Sequence, residues 1–388
     1  MSSPQATTQQ ILNILQANQS PTQFLAQCPS QLDWEELTVR AIIFGLAPQL
    51  YYQLNQWELR IPPRAMAKLA ATYQAQTQRN EAIYAQLDEA LAAFAIQQLA
   101  PIALKGVHLA TCYYAEPALR PMNDIDLLFT AGELEIAEAV LTNLGYGGKH
   151  KSADLGPGIT KHTSTYLRET ASNPTTTPNP YLSAQRDRMI EPHTSLEESW
   201  FGLKVDITPG VRQRAVTARL SQHDCLVLAH EDALLHICVH FCFHLIMGAP
   251  SMVQLTDILA ITQAQPTDWV TFSQRVSTYR AAPYALAALT LAQKLLAAPV
   301  PAHVLTELAQ HTPKPLRQRI TQLELSDILQ RTQQKPLTNL GQRLRRGVQD
   351  RVETARWAAD WYGRWQVWRT ALDITKSDTG QMLLKRKS

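Results

Sequence analysis

The sequence predicts an α+β protein in which a small mixed sheet sits between a helical N-terminal region and a helical C-terminal region. Three observations carry this. A long stretch poor in Gly and Pro, Met66 to Ala100, is rich in Ala, Gln, Leu and Glu, which are good helix formers. Short apolar runs with strand character then cluster between about residues 95 and 220. From Glu231 onward, apolar residues again recur at helical spacing. One helix among several short strands reads as α+β.

Taken in order, Gln10–Gln16 and Trp34–Leu54 predict short helices, and Pro62-Pro63 breaks the chain before the long one. In that helix Leu69, Tyr73, Asn80, Tyr84, Leu87 and Leu91 form an inward stripe. LAPIALKG (99–106) reads as a buried strand ending in a Lys-Gly turn, and DIDLLF (124–129) as a second strand. Ala131 to Leu144 reads as a helix closed by Gly145. RMIEPHTSL and LKVDIT supply further strands, and Pro192, which cannot donate to a ladder, predicts an edge or irregular strand there. The segment 147–183, rich in Gly, Pro, Ser, Thr and Asn, is expected to be a long flexible loop, with two readings open: an insertion, or a lid over a site. The expected organisation is therefore a helical region 1–94, a sheet unit 95–220, a helical domain 221–340 and a basic, Trp-rich C-terminal helix 341–388.

Composition narrows the function. Of 388 residues, 45% are apolar and 18% charged, and 36 Lys and Arg face 33 Asp and Glu. That is enough apolar material for real cores, and a net charge of +3 excludes a globally basic nucleic-acid binder. No apolar run of about 18 residues predicts a membrane span, and MSSPQATTQQ lacks signal-peptide character. Five cysteines (28, 112, 225, 238, 242), odd in number and without CxxC, predict free thiols and a cytoplasmic setting. There is no GxSxG and no GxxxxGK[ST], so hydrolase and P-loop chemistry are poorly supported.

The chemistry concentrates in LKGVHLATCYYAEPALRPMNDIDLLF. Asp124 and Asp126 stand two apart, and on a strand both point to one face. Close carboxylates repel unless a cation lies between them, and Mg²⁺ favours oxygen ligands of this type together with phosphate. Lys105 offers a point charge for a phosphate, Gly106 permits close backbone approach, and Arg120 offers a planar fork. Glu191 is a third acid on a later strand, with His193 two residues on and so on the same face. The reading is metal-dependent phosphoryl or nucleotidyl transfer; a solvated Asp-x-Asp and a surface Arg120 ion pair are the plain alternatives.

These residues carry a family resemblance. The apolar strand ending in Lys-Gly, then Tyr, Arg and Asp-x-Asp, a helix closing at Gly145-Tyr146, IEPH (190–193), EDALLHICVHFCFH (231–244) and LTDILAI (255–261) together resemble a bacterial family of uncharacterised nucleotidyltransferases. That family lies within the DNA polymerase β-like superfamily, and the likeness covers roughly residues 30–265. The resemblance implies a polymerase-β-like mixed sheet and two divalent ions, Mg²⁺ or Mn²⁺, held by Asp124, Asp126 and Glu191 as catalytic acids and metal ligands. The reaction expected is transfer of an NMP from an NTP, ATP among them, to an unidentified small-molecule, peptide or protein acceptor with release of pyrophosphate, and the residues themselves put Lys105, Gly106, Arg120, His193 and His240 on the nucleotide side. The second reading is a nucleotide-binding or scaffold protein without turnover, motivated by Pro192.

Three further features have open readings. His236, Cys238, His240, Cys242 and His244 suggest zinc, histidines facing the cleft as phosphate contacts, or packed interfacial histidines; on a helix the cysteines face away from the histidines. Asp206 is an alternative third carboxylate, and Asp257 is expected on a helix surface or at an interdomain contact. In residues 341–388, eleven Lys and Arg face five acids, and Trp357, Trp361, Trp365 and Trp368 fall at helical spacing among Arg351, Arg356, Arg364 and Arg369. This stripe can pack as core, lie on an anionic membrane surface, or hold a partner such as RNA, although nucleic acid is disfavoured by the overall charge.

Overall fold

A computed structural model describes residues 4–28, 32–149, 165–168, 189–332, 340–358 and 360–372. The chain begins with four short helices, α1 (Pro4–Leu15), α2 (Pro21–Gln27), α3 (Trp34–Ile43) and α4 (Ala47–Gln56), followed by the long α5 (Pro63–Ile96). Five of the six stripe residues of α5 are buried, Tyr73 being the half-buried one. The sheet unit follows: β1 (Ile102–Ala103), α6 (Lys105–Cys112), a 3-10 turn at Pro117–Leu119, β2 (Asp124–Leu128), α7 (Leu134–Asn143), β3 (Gly147–Lys149), β4 (Thr165–Leu167) and β5 (Met189–His193). Next come β6 (Glu197–Trp200), β7 (Leu203–Asp206), α8 (Val211–Arg214), β8 (Val216–Arg219) and β9 (Asp224–Val227). The remaining helices are α9 (His230–Met247), α10 (Met252–Ala264), α11 (Trp269–Thr278), α12 (Ala282–Leu296), α13 (Ala302–Gln310), α14 (Lys314–Thr321), α15 (Leu325–Thr332), α16 (Leu340–Trp357) and α17 (Trp361–Leu372).

The expected α+β class is what the chain adopts. Among the described residues seven strands form one mixed sheet in the order β3-β4-β5-β2-β1-β9-β8, and β6 and β7 form a separate hairpin. β2 pairs antiparallel with β1 and parallel with β5. One face of the sheet buries Ala103, Ile125, Leu127 and Ile190 with Phe94 of α5 and Leu141 of α7. Phe94 meets Phe129 edge-to-face, with ring centroids 5.1 Å apart. A larger core joins the opposite side of β2, through Leu128, to the C-terminal helices and reaches back to Ile11 and Leu12 of α1. The N-terminal helices are tied directly to the C-terminal ones: Ala17 N–H donates to the Leu296 carbonyl at 2.8 Å, and Gln49 Nε2 donates to Thr256 Oγ1 at 3.0 Å.

Several sequence expectations change. The segment 147–183 is not loop throughout, because β3 and β4 fall within it; the rest of it, and with it the lid reading, lies outside the described residues. LKVDIT does not extend the main sheet but forms the second strand of the β6–β7 hairpin. β5 is interior, between β4 and β2, and not an edge as Pro192 suggested. The reason is geometric. Peptide groups along a strand point alternately to either side. The His193 carbonyl accepts from Phe129 N–H at 2.8 Å, so it faces β2 and the Pro192 nitrogen faces the other way. On that side the described pairing with β4 is Tyr166 opposite Ile190, and the position across from Pro192 lies outside the described residues. The β2–β5 register runs unbroken from Asp124–Met189 to Leu128–His193.

Arg120, placed by the 3-10 turn, reaches α10. Its Nε and Nη2 donate to the two carboxylate oxygens of Asp257 at 2.8 and 2.9 Å, and Tyr114 donates to the same carboxylate at 2.8 Å. Asp257 is fully buried, so it is a contact between the sheet unit and the helical region and not a helix-surface residue. Its buried charge is compensated only by these donors. Asp257→Ala, leaving the Arg120 guanidinium buried and unpaired, is expected to cost about 3–5 kcal/mol in urea unfolding. The paired replacement Arg120→Met with Asp257→Leu should recover most of that loss; equal losses in both variants would remove the ion pair as the cause.

Candidate active site

The site is built on β2 and β5. Ile125 and Leu127 are buried on the α5–α7 side, so the alternate residues of β2, Asp124 and Asp126, share the opposite face. Parallel pairing sets Asp126 directly across from Glu191 and Leu128 across from His193. Carboxylate oxygens of Asp126 and Glu191 and a ring nitrogen of His193 all lie within 4.8 Å of one another. Among the described residues this is where donors gather closely enough to hold an ion. His193 Nε2 is 2.7 Å from Asp126 Oδ1 and 4.0 Å from Glu191 Oε2. The sequence treats His193 as a nucleotide contact; the structure puts it among the acids.

Lys105 completes the cluster from the other side of β2. Its Nζ lies 3.2 Å from Asp126 Oδ1. The chain reaches this position through a sharp change of direction: Leu104 is extended, its N–H donates to the Asp126 carbonyl at 3.0 Å, and Lys105 then takes a left-handed φ of 41° as the first residue of α6. A non-glycine residue held there costs about 1–3 kcal/mol, supplied by the surrounding packing. Lys-Gly therefore opens a helix and is not the strand-ending turn that the sequence suggests. Gly106 is required by close approach: a Cβ there would lie 3.1 Å from Arg120 Nη1 and from Met122 Cγ and Sδ.

The electrostatics divide the two aspartates. Burial raises Asp126, but Lys105 and the hydrogen bond from His193 outweigh it and hold the carboxyl well below its ordinary range. Asp124 is pushed up to about 7 by burial, by Asp126 and by Glu191, against the opposing fields of Lys105 and Arg120. Burial alone would lower Lys105, yet Asp126, Asp124, Glu198 and Glu191 together raise it. The Lys105 ammonium touches Asp126 and feels the fields of Asp124, Glu198 and Glu191, so carboxylates surround it on the face where a divalent cation could bind. Oxygen-rich donors with one imidazole suit Mg²⁺ or Mn²⁺.

Glu198 is the residue that sequence reasoning missed. It sits on β6, is buried, and accepts from His240 Nδ1 at 2.6 Å. The signal available was the acid-rich EES beside the IEPH strand, but nothing in the sequence says that a second hairpin folds toward Lys105. Burial first, then Lys105, holds His240 neutral, well below its ordinary value. His236 packs tilted against His240 and His244 meets it edge-on, with ring centroids 6.0 and 4.4 Å away. Cys238 and Cys242 point into the apolar core, where burial raises both thiols, so this cluster does not gather as a zinc site. Asp206 is spent on Thr208, accepting from its N–H at 2.9 Å and its hydroxyl at 2.5 Å, and does not join the acids. Arg120 spends its fork on Asp257, behind Gly106.

The chain matches the family model described as uncharacterised nucleotidyltransferase over residues 30–297. It belongs to that family. The match runs from just before α3 to the end of α12, and so takes in the whole sheet, α9 and α10. Neither the curated proteins nor the solved structures provide a match. Membership makes this nucleotidyltransferase a transferase of nucleotidyl groups, and the acidic cluster on β2 and β5 is its candidate metal-binding centre.

His240 gives the site a pH signature. Its proton affinity is lower folded than unfolded, so the unfolded chain binds more protons below the ordinary value of 6.5. The fold is accordingly unburdened by this group above pH 6.5 and loses stability as the pH falls below it. His240→Gln is expected to flatten the acid limb of a urea-unfolding stability profile just below that value; an acid limb as steep as wild type would show that His240 is not the group responsible.

Proposed function

We propose that the protein transfers a nucleoside monophosphate from an NTP to an acceptor hydroxyl, phosphate or amine with release of pyrophosphate. The observation that supports this most directly is the convergence of Asp126, Glu191 and His193 beneath the Lys105 ammonium. In the reaction the acceptor oxygen or nitrogen bonds to the α-phosphorus, the bond from that phosphorus to the bridging oxygen breaks, and the electron pair leaves on pyrophosphate. Asp124, Asp126 and Glu191, with His193 beside them, would hold Mg²⁺ or Mn²⁺. Bound there, the ion supplies charge neutralisation for the triphosphate and an acidified acceptor hydroxyl.

The chain's own groups do the rest. Lys105, already drawn to the site by four carboxylates, offers its charge to the phosphates. Its left-handed backbone fixes where that charge stands, so the positioning is prepaid in the fold. Glu198 takes the Nδ1 proton of His240 as a hydrogen bond, leaving Nε2 as the lone-pair nitrogen. A neutral imidazole with that tautomer fixed can accept a hydrogen bond from the incoming acceptor, whose proton then leaves to water. Arg120 supports this machinery from behind by holding α10 against the α6 entrance; Gly106 gives it the room.

The test is pyrophosphate release with each NTP and Mg²⁺ or Mn²⁺, with a cell extract as acceptor source. Asp126→Asn is expected to lower the rate about 100-fold or more in protein that keeps the wild-type far-UV circular dichroism, and Lys105→Met to raise the NTP concentration needed for half-maximal rate. Metal-dependent NTP binding without release in any extract would favour the nucleotide-binding reading. Release that survives Asp126→Asn would place the chemistry elsewhere.

A further inference from the structure

The nucleotidyl-transfer reading leaves the tryptophans of the C-terminal region unused, and the structure splits them. α16 ends at Trp357, which is 1% exposed and lies under the Arg319 guanidinium at 5.6 Å from the ring centroid. A separate helix, α17, begins at Trp361, its first turn capped by Asp360 Oδ1 accepting from Gly363 N–H at 2.7 Å. Core packing therefore accounts for Trp357 and for none of the other three. Trp361, Trp365 and Trp368 are 77%, 47% and 43% exposed, beside a Tyr362 that is 53% exposed.

These residues form a surface and not a scatter. Positions 361, 365 and 368 are spaced i, i+4 and i+7, so the three indoles lie on one face of α17. The opposite side buries Val367 in the main core, which fixes which face looks outward. Arg364 and Arg369 flank the ridge, both exposed, and the Arg369 guanidinium lies 5.4 Å from the Trp365 ring centroid. α17 carries no acidic residue. The sequence from 341 to 388 adds eleven Lys and Arg against five acids.

We propose that the outward face of α17 is a docking surface for an anionic lipid bilayer. Indole rings favour the level of the headgroups, where their apolar bodies leave water and their N–H groups stay hydrated. Arginines flanking such a ridge meet the phosphates of anionic lipids. A ridge on one exposed helix fits a plane, and the charge surrounding it is of the sign that an acidic leaflet attracts. Among the described residues no helix is long and apolar enough to cross a membrane, so the contact is superficial.

The experiment is sedimentation of the full-length protein with vesicles of phosphatidylcholine alone, and of phosphatidylcholine containing one-third phosphatidylglycerol, at low and high salt. Wild type is expected to sediment with the anionic vesicles and much less with the neutral ones, with weaker binding in high salt. Replacing Trp361, Trp365 and Trp368 together by Ser should lower binding about tenfold or more while the thermal midpoint and NTP binding hold, since none of the three is buried. Brominated lipid should quench wild-type tryptophan fluorescence and leave the triple variant nearly unaffected. Absence of vesicle binding, or equal binding to both compositions, overturns the proposal. So does a wild-type dimer that the triple variant dissolves, which would make a second copy the occupant, or single-stranded RNA bound by wild type and lost in the triple variant without vesicle binding. Shielding of these tryptophans from acrylamide before any lipid is added also overturns it, because the chain's own residues 373–388 would then be their cover.

Discussion

Everything at the centre of this molecule depends on burying the carboxylates of Asp126 and Glu191 within 4.8 Å of each other, with Asp124 on the same face. Strand register forces the arrangement: β2 and β5 run parallel with Asp126 opposite Glu191, and the i, i+2 rule puts Asp124 and His193 on the same face. Such a cluster is tolerable only with nearby positive charge or retained protons. The fold uses both. Lys105 and His193 keep Asp126 ionised, whereas Asp124 is left with an affinity that holds a proton near neutrality. The two aspartates of one strand are thus held in different protonation states by their surroundings.

Much of the surrounding architecture serves to hold this arrangement still. Ile125, Leu127 and Ile190 anchor the two strands from beneath, against α5 and α7. Lys105 is delivered by a strand so short that the helix starts at once, with a left-handed residue at the junction. Arg120 does not reach for phosphate in this arrangement; it spans from the sheet unit to Asp257 of α10 and locks the two halves of the molecule about the site. The Glu198–His240 pair is assembled from more distant pieces. Glu198 belongs to the β6–β7 hairpin, whose tight turn puts Phe201 and Gly202 at φ values of 44° and 81°. Phe201 is buried under the Arg351 guanidinium of α16, 4.4 Å from its ring centroid. The C-terminal helices therefore help to hold the hairpin that orients His240, and a protein held at a bilayer by α17 would be gripped through the helix next to that contact.

Local patterns settled much of this in advance. Asp-x-Asp on an apolar strand fixes its own geometry, because alternation needs no tertiary information, and the helix formers from Met66 onward specify α5 by propensity alone. The family pattern in residues 30–297 is likewise a property of the linear chain. What linear patterns could not decide was pairing. The partner of each strand, the side on which Pro192 lacks its donor, and the folding of LKVDIT into a separate hairpin are all set by contacts between segments far apart in sequence. A guanidinium looks alike whether it will meet phosphate or Asp257, and a carboxylate such as Glu198 is unmarked until a hairpin carries it under a helix. The tryptophan repeat offers four equivalent residues; only the end of α16 at Trp357, the start of α17 at Trp361 and the burial of Val367 separated one core tryptophan from three that face outward. The sequence by itself determined the elements and the chemical types at the site, since these follow from spacing and propensity. The tertiary structure alone decided which charges meet, because Coulomb interactions and burial depend on distances that only the folded chain defines.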